Sequence, residues 1–289
     1  AVKMRSKKTF SIILATAGIQ FSLPLANAAV SPAPEVLFSV FGLPITNSIV
    51  TSWVIVTLSI IGIRMMIGGR PQLIPGRGQA IIENLLVGLR DMIEPIVGKK
   101  AVMATLPFVL GFFVYILIQN WSGLLLGVGT LGMGYEDAEG HFHITRPWIR
   151  PANADWNGTM ALAIVAMVGW AYIILKYAGF KALVVDLFGN KANKTEVGTM
   201  MWVMLIPIFL FVGLIEVVSI AIRPLTLSVR LFGNIFGGEN LLHGMNFIPV
   251  FYFLELLVGI VQALVFILLF SVYIGLICNH DDGHENAEH

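Results

Sequence analysis

Residues 200–245 read MMWVMLIPIFLFVGLIEVVSIAIRPLTLSVRLFGNIFGGENLLHGM, and residues 249–278 read PVFYFLELLVGIVQALVFILLFSVYIGLIC. Both stretches are apolar enough for hydrocarbon, yet they carry Glu216, Arg223, Arg230, Glu239 and Glu255. An ionised side chain at mid-membrane costs at least ~2.5–3.5 kcal/mol, so such groups face a cavity, a partner or a pathway. One isolated charge is explained as well by a structural ion pair. Five charges on two segments favour a pathway. Glu216, Ser219, Arg223, Arg230 and Asn234 are spaced by three, four and seven residues and form one polar stripe on a helix. Glu239, nine residues past Arg230, falls on the opposite face unless the helix bends. Gly233, Gly237 and Gly238 permit bending or close approach of a second helix.

The turn at Asn246-Phe247-Ile248-Pro249 makes the two segments antiparallel neighbours. Glu255 and Gln262, seven apart, share a face of the last helix. Antiparallel pairing then sets Arg230 level with Gln262, and Glu239 level with Glu255. The two-carboxyl layer lies about 14 Å nearer the turn, and Glu216 lies about 21 Å away on the other side, at 1.5 Å rise per residue. Two carboxyls at one depth share protons and can accept and release one near physiological pH. Arginine stays protonated, so it relays nothing but attracts carboxylates and blocks passage. The pattern describes two half-channels parted by a fixed positive charge. The moving carboxylate must come from a partner.

The rest of the chain agrees. Of 289 residues, 57% are hydrophobic and 12% charged, about half the charge of a soluble domain. The mean hydropathy is +0.84. Disorder and a free-standing soluble enzyme are excluded, and the net charge of +1 gives no nucleic-acid footprint. A lone cysteine, Cys278, excludes an intramolecular disulfide. Further spans are expected at Ile45–Met66, Met103–Leu126 and Gly158–Leu175, giving about five in an all-α, polytopic membrane fold. Residues 78–98 have helical apolar periodicity broken by Glu83, Arg90, Asp91 and Glu94, which predicts an amphipathic helix on the cytoplasmic side.

Arg70, Arg77, Arg90, Lys99 and Lys100 after the first span, and Lys176, Lys181, Lys191 and Lys194 after the third, place those loops in the cytoplasm. Residues 127–157, with more acidic than basic groups, then form an external loop, and the acidic tail from Asn279 lies inside. Lys3, Arg5, Lys7 and Lys8, an apolar run and Ala26-Asn27-Ala28 predict a signal peptide over residues 1–28, leaving one membrane domain over 29–289. A retained extra span is the alternative. His141 and His143 in the external loop, and the histidines of the tail, lack a recurring ligand spacing, so no metal or other cofactor is expected. His243 shares a face with Glu239, and Arg223 either pairs with Glu216 or meets the partner.

The run Arg223-Pro224-Leu225-Thr226-Leu227-Ser228-Val229-Arg230-Leu231-Phe232-Gly233-Asn234 strongly resembles the signature of subunit a of F-type ATP synthases, bacterial type. Gln262-Ala263, Asn120-Trp121-Ser122-Gly123 and Pro151-Ala152-Asn153-Ala154-Asp155-Trp156-Asn157 are similar to further landmarks of that family. The resemblance runs from about residue 77 to 278. It implies a long, tilted, antiparallel hairpin over about 200–279, and a non-catalytic, proton-translocating stator subunit of the bacterial inner membrane. The implied partners are a rotating c-subunit ring, peripheral-stalk b subunits and the rest of the synthase. Arg230 corresponds to the arginine facing the ring, and Gln262 and Asn234 to its polar neighbours. Glu239 and Glu255 correspond to the external half-channel, where one of the pair is often histidine. Glu216 and Ser219 correspond to the cytoplasmic half-channel. The competing expectation is a stand-alone ion-coupled transporter, but the charges crowd into the last third of the chain.

Overall fold

The structure, a computed structural model, describes Pro34 and residues 36–40, 43–69, 71–126, 132–136, 142–147, 150–188, 199–244 and 248–278. The expected signal peptide, Lys191 and Lys194, and the acidic tail lie outside the described residues. Helices dominate: α1 Asn47–Ile67, α2 Arg77–Val97, α3 Val102–Leu126, α4 Trp156–Tyr177, α5 Gly179–Phe188, α6 Thr199–Gly244 and α7 Ile248–Cys278. Five of them, α1, α3, α4, α6 and α7, are long and apolar enough to cross a membrane. The chain is a polytopic, nearly all-α membrane protein.

Two features go beyond the sequence expectation. Antiparallel hairpins pair β1 (Val36–Val40) with β2 (Leu43–Thr46), and β3 (Gly132–Glu136) with β4 (Phe142–Pro147). The lysine-bearing connection after α4 also holds α5, set off by Gly179 at φ 83°. Helix ends elsewhere match their chemistry. Gly68, at φ 73°, closes α1 by donating to the Arg64 and Met65 carbonyls. The Asp155 side chain caps α4 by accepting from the Asn157 amide at 3.0 Å.

The core lies between α3, α4 and α7, with α2 against its inner end. Phe112 meets Phe266 and Phe270 edge to face at 5.5 and 5.3 Å between centroids, where α3 packs on α7. The amphipathic helix α2 turns Leu89, Ile93 and Val97, four residues apart, into this core. Arg90 and Glu94 pair at 3.2 Å on its outer side. Gly275 lets the two backbones close, since a β-carbon there would strike the Ile96 carbonyl.

Helix α1 is held differently. Most of its apolar residues stay exposed, and it docks through Asn47, Ser48, Thr51 and Ile55. Ser48 donates to Asp155 at 2.7 Å, the Arg150 amide donates to Thr51 at 3.3 Å, and Ser52 bonds Tyr115 at 2.9 Å. Lipid tails are as apolar as leucine, so polar bonds and close packing are what hold such helices together.

Candidate functional site

Helix α6 is continuous through Pro207 and Pro224 over 46 residues, roughly 69 Å at 1.5 Å per residue. It is also the least covered span: 6% of its most apolar window is buried, against 50% for α7. Apart from Gly213, which lies against Leu187 of α5, the described residues that α6 buries form one narrow row, Leu227, Ser228, Leu231 and Ile235. Phe232 beside it meets Trp156 edge to face at 5.8 Å. Ser228 and Thr159 of α4 share a hydroxyl hydrogen bond of 3.1 Å.

Gly238 continues this row and lies against Glu255, whose carboxyl occupies the space a β-carbon at Gly238 would take. The antiparallel hairpin is therefore in register, within one residue, with the depth expected for Glu239 and Glu255. The Glu239 side chain itself, like that of His243, lies outside the described residues. At 100° per residue, Arg230 sits about 100° to one side of the Leu231–Gly238 row and Glu239 about 80° to the other. The two positions thus lie on opposite sides of that row, as helical spacing gives for a helix without a sharp bend.

Arg230 is exposed, on the open side of α6. Gln262 is 9% exposed, and its Nε2 has no hydrogen-bond partner. Among the described residues no hydrogen bond joins the two. Following the Gly238–Glu255 register, Gln262 stands level with Leu231, one residue beyond Arg230. That extrapolation gives the two about one depth, with no bond between them.

Farther along the stripe, Ser219 is exposed, and Glu216, Arg223 and Asn234 are half-buried. Arg223 does not form an ion pair with Glu216. Instead, the Arg223 guanidinium stands 4.3 Å from the Tyr273 ring centroid on α7 and 5.9 Å from that of Trp170 on α4. Trp170 Nε1 donates to the Tyr273 carbonyl at 2.8 Å, tying the two rings together. Tyr273 is eleven residues past Gln262 and so repeats its face, a signal present in the sequence spacing. Nothing local in the sequence marks Trp170.

The connection from α3 to α4 is ordered where it leads into α4. Arg150 and Asp155, counted above among its charges, are buried, as is Asn153. The guanidinium of Arg150 donates to the Ala154 carbonyl at 2.8 Å, and Asn153 donates to Asn120 at 2.7 Å. Asn120 and Trp121 in turn donate to the Gly259 and Leu256 carbonyls of α7, each at 3.2 Å. Two of the landmarks noted in the sequence, the runs around Asn120 and Asn153, thus meet where α3 packs on α7.

A family model described as ATP synthase A chain matches residues 49–275, from α1 to within a turn of the end of α7. Most of the chain is covered, including both helices of the charged hairpin and every polar position named on them. The chain belongs to the ATP synthase A chain family, the proton-channel subunits of the synthase membrane sector.

Proposed function

We propose that the chain is the stator channel that offers two offset half-channels to a rotating ring of carboxylate-bearing c subunits. The external half-channel runs through Glu239 and Glu255, and the cytoplasmic one through Glu216 and Ser219. Arg230, with Gln262 and Asn234 beside it, stands between them. A proton from outside passes the carboxyl layer and neutralises a ring carboxylate. The neutral side chain then turns through lipid, where an ionised one is too costly. After nearly a full turn the proton leaves past Glu216. Arg230 attracts the emptied carboxylate and bars a direct leak. Each charge that crosses supplies about 2.3 kcal/mol per 100 mV, which rotation hands to a distant catalytic head.

The observation that carries this reading is the Glu255 carboxyl seated against Gly238 of α6, with Arg230 exposed about two turns earlier on the same helix. Helical spacing gives position 239 the side of the Gly238 row opposite Arg230. The open flank of α6 is the face left for the ring. Peripheral-stalk b subunits complete the stator. The basic connections after α1 and α4 support a cytoplasmic placement of those ends in a bacterial inner membrane, and the pattern over residues 1–28 supports a cleavable leader.

Replacing Arg230 with alanine in the intact synthase is the decisive experiment. Coupled ATP synthesis and ATP-driven proton pumping are both expected to vanish while the complex still assembles. Normal pumping by Arg230→Ala would overturn the reading, and so would co-purification of the chain without any multi-copy, two-span carboxylate subunit.

A further inference from the structure

The two path residues on α7, Glu255 and Gln262, bracket a stretch of helix that α3 grips by its backbone. Trp121 Nε1 donates to the Leu256 carbonyl, the next residue after Glu255, and Asn120 Nδ2 donates to the Gly259 carbonyl, three residues before Gln262. A helix carbonyl has a second lone pair, so each can accept from a side chain without surrendering its bond within the helix. The approach is close because position 259 is glycine. A β-carbon there would lie 3.3 Å from Asn120 Cβ and 3.4 Å from the Trp121 ring.

The grip is itself anchored. The Asn120 amide oxygen accepts from Asn153 at 2.7 Å, which turns the amide nitrogen toward Gly259. The neighbouring Gln119 donates to Ser52 of α1 at 3.0 Å and accepts from the Ala152 amide at 3.1 Å. Three consecutive residues of α3 therefore fasten α1, the turn before α4 and α7 at one depth. Both Gln119 and Asn120 are fully buried. This is more polar bonding than packing α3 on α7 requires, since the Phe112 cluster already supplies that contact.

We propose that Asn120 and Trp121 are positioning residues of the proton path, holding α7 at Leu256 and Gly259 so that Glu255 stays seated at Gly238 and Gln262 stays level with the Arg230 turn. The inference rests on the path proposed above and adds to it the device that fixes the α7 half.

The test uses Trp121→Phe, which keeps an aromatic ring but loses the N–H with the pyrrole part of the indole, and Asn120→Leu, which keeps the branched shape but has no donor. Protons pumped per ATP hydrolysed are measured in sealed vesicles of the intact synthase, normalised to assembled complex. The ratio is expected to fall about 2- to 10-fold in each variant, the range set by losing one hydrogen bond's hold. A purely structural role would lower the amount of complex and leave the ratio alone. The register is read separately, by disulfide formation between Gly238→Cys and Glu255→Cys in a Cys278→Ser background. It is expected to be efficient alone and to drop several-fold when Trp121→Phe or Asn120→Leu is added. An unchanged ratio, or an unchanged register, overturns the proposal. If a variant does not assemble, the register of the chain in the membrane decides. Arg230→Ala run in parallel separates the two claims. If it still pumps, the path itself is wrong. If it stops pumping while the α3 variants match the parent, only the positioning role is lost.

Discussion

At Gly238 the missing side chain is the point, because the Glu255 carboxyl fills the place of a β-carbon. Gly237, its neighbour, has open space on its outer side. Gly238→Ala is therefore expected to displace Glu255 and reduce pumping strongly, whereas Gly237→Ala has a small effect. Equal effects in vesicle pumping assays would show that helix propensity, not the carboxyl's seat, is at stake. Arg223 makes a second residue-scale case. Its partners are rings, so Tyr273→Phe should be tolerated, while Tyr273→Leu removes a contact worth about 0.5–2 kcal/mol. Thermal midpoints of the purified complex distinguish the two. A loss equal for both substitutions would point to the hydroxyl instead.

Between elements, the fold mixes two kinds of adhesion. Helix α2 meets α3 and α7 through Leu89, Ile93 and Val97, and Ile93→Ala should cost about 2–5 kcal/mol through lost packing. The lower end is expected if lipid or neighbouring side chains move into the void. Helix α1 is held by hydroxyls, so removing the Ser48 donor with Ser48→Ala should loosen it by about 0.6 kcal/mol, a typical hydrogen bond between membrane helices. Rising reactivity of a cysteine placed at Thr51 would report that loosening, and unchanged reactivity would show that the Ser52 bonds and Ile55 suffice. Amphipathic periodicity announces contacts of the α2 kind in the sequence. Contacts of the α1 kind leave a fainter trace: Asn47, Thr51 and Ile55 are spaced by four, but small polar residues at helical spacing do not say which neighbour they bond.

Across the whole molecule, the chain's basic connections and its exposed loops set a testable topology. Leu73, in the connection from α1 to α2, and Phe38, in β1, are both exposed. With Cys278→Ser removing the lone native thiol, Leu73→Cys is expected to react with an impermeant maleimide only from the cytoplasmic side. Phe38→Cys should react only from the external side. The reverse pattern would invert the path and assign Glu216 to proton uptake.

Much of this architecture was legible without coordinates. Hydrophobic length gives the spans, because bilayer thickness demands about 20 apolar residues of each. Helical spacing gives the stripe from Glu216 to Asn234, and equal depth across a tight turn gives, to within one residue, the register that sets Gly238 against Glu255, because rise and angle per residue are fixed by backbone geometry. Arg223 shows where that reasoning ends. Spacing offered it Glu216, yet it stands against Tyr273 and Trp170. Arg150 and Asp155 show the same, being charges of a loop that the fold buries. Periodicity along one helix fixes which residues share its face. Which neighbour that face meets depends on the packing of helices distant in sequence, and only the tertiary structure decided that.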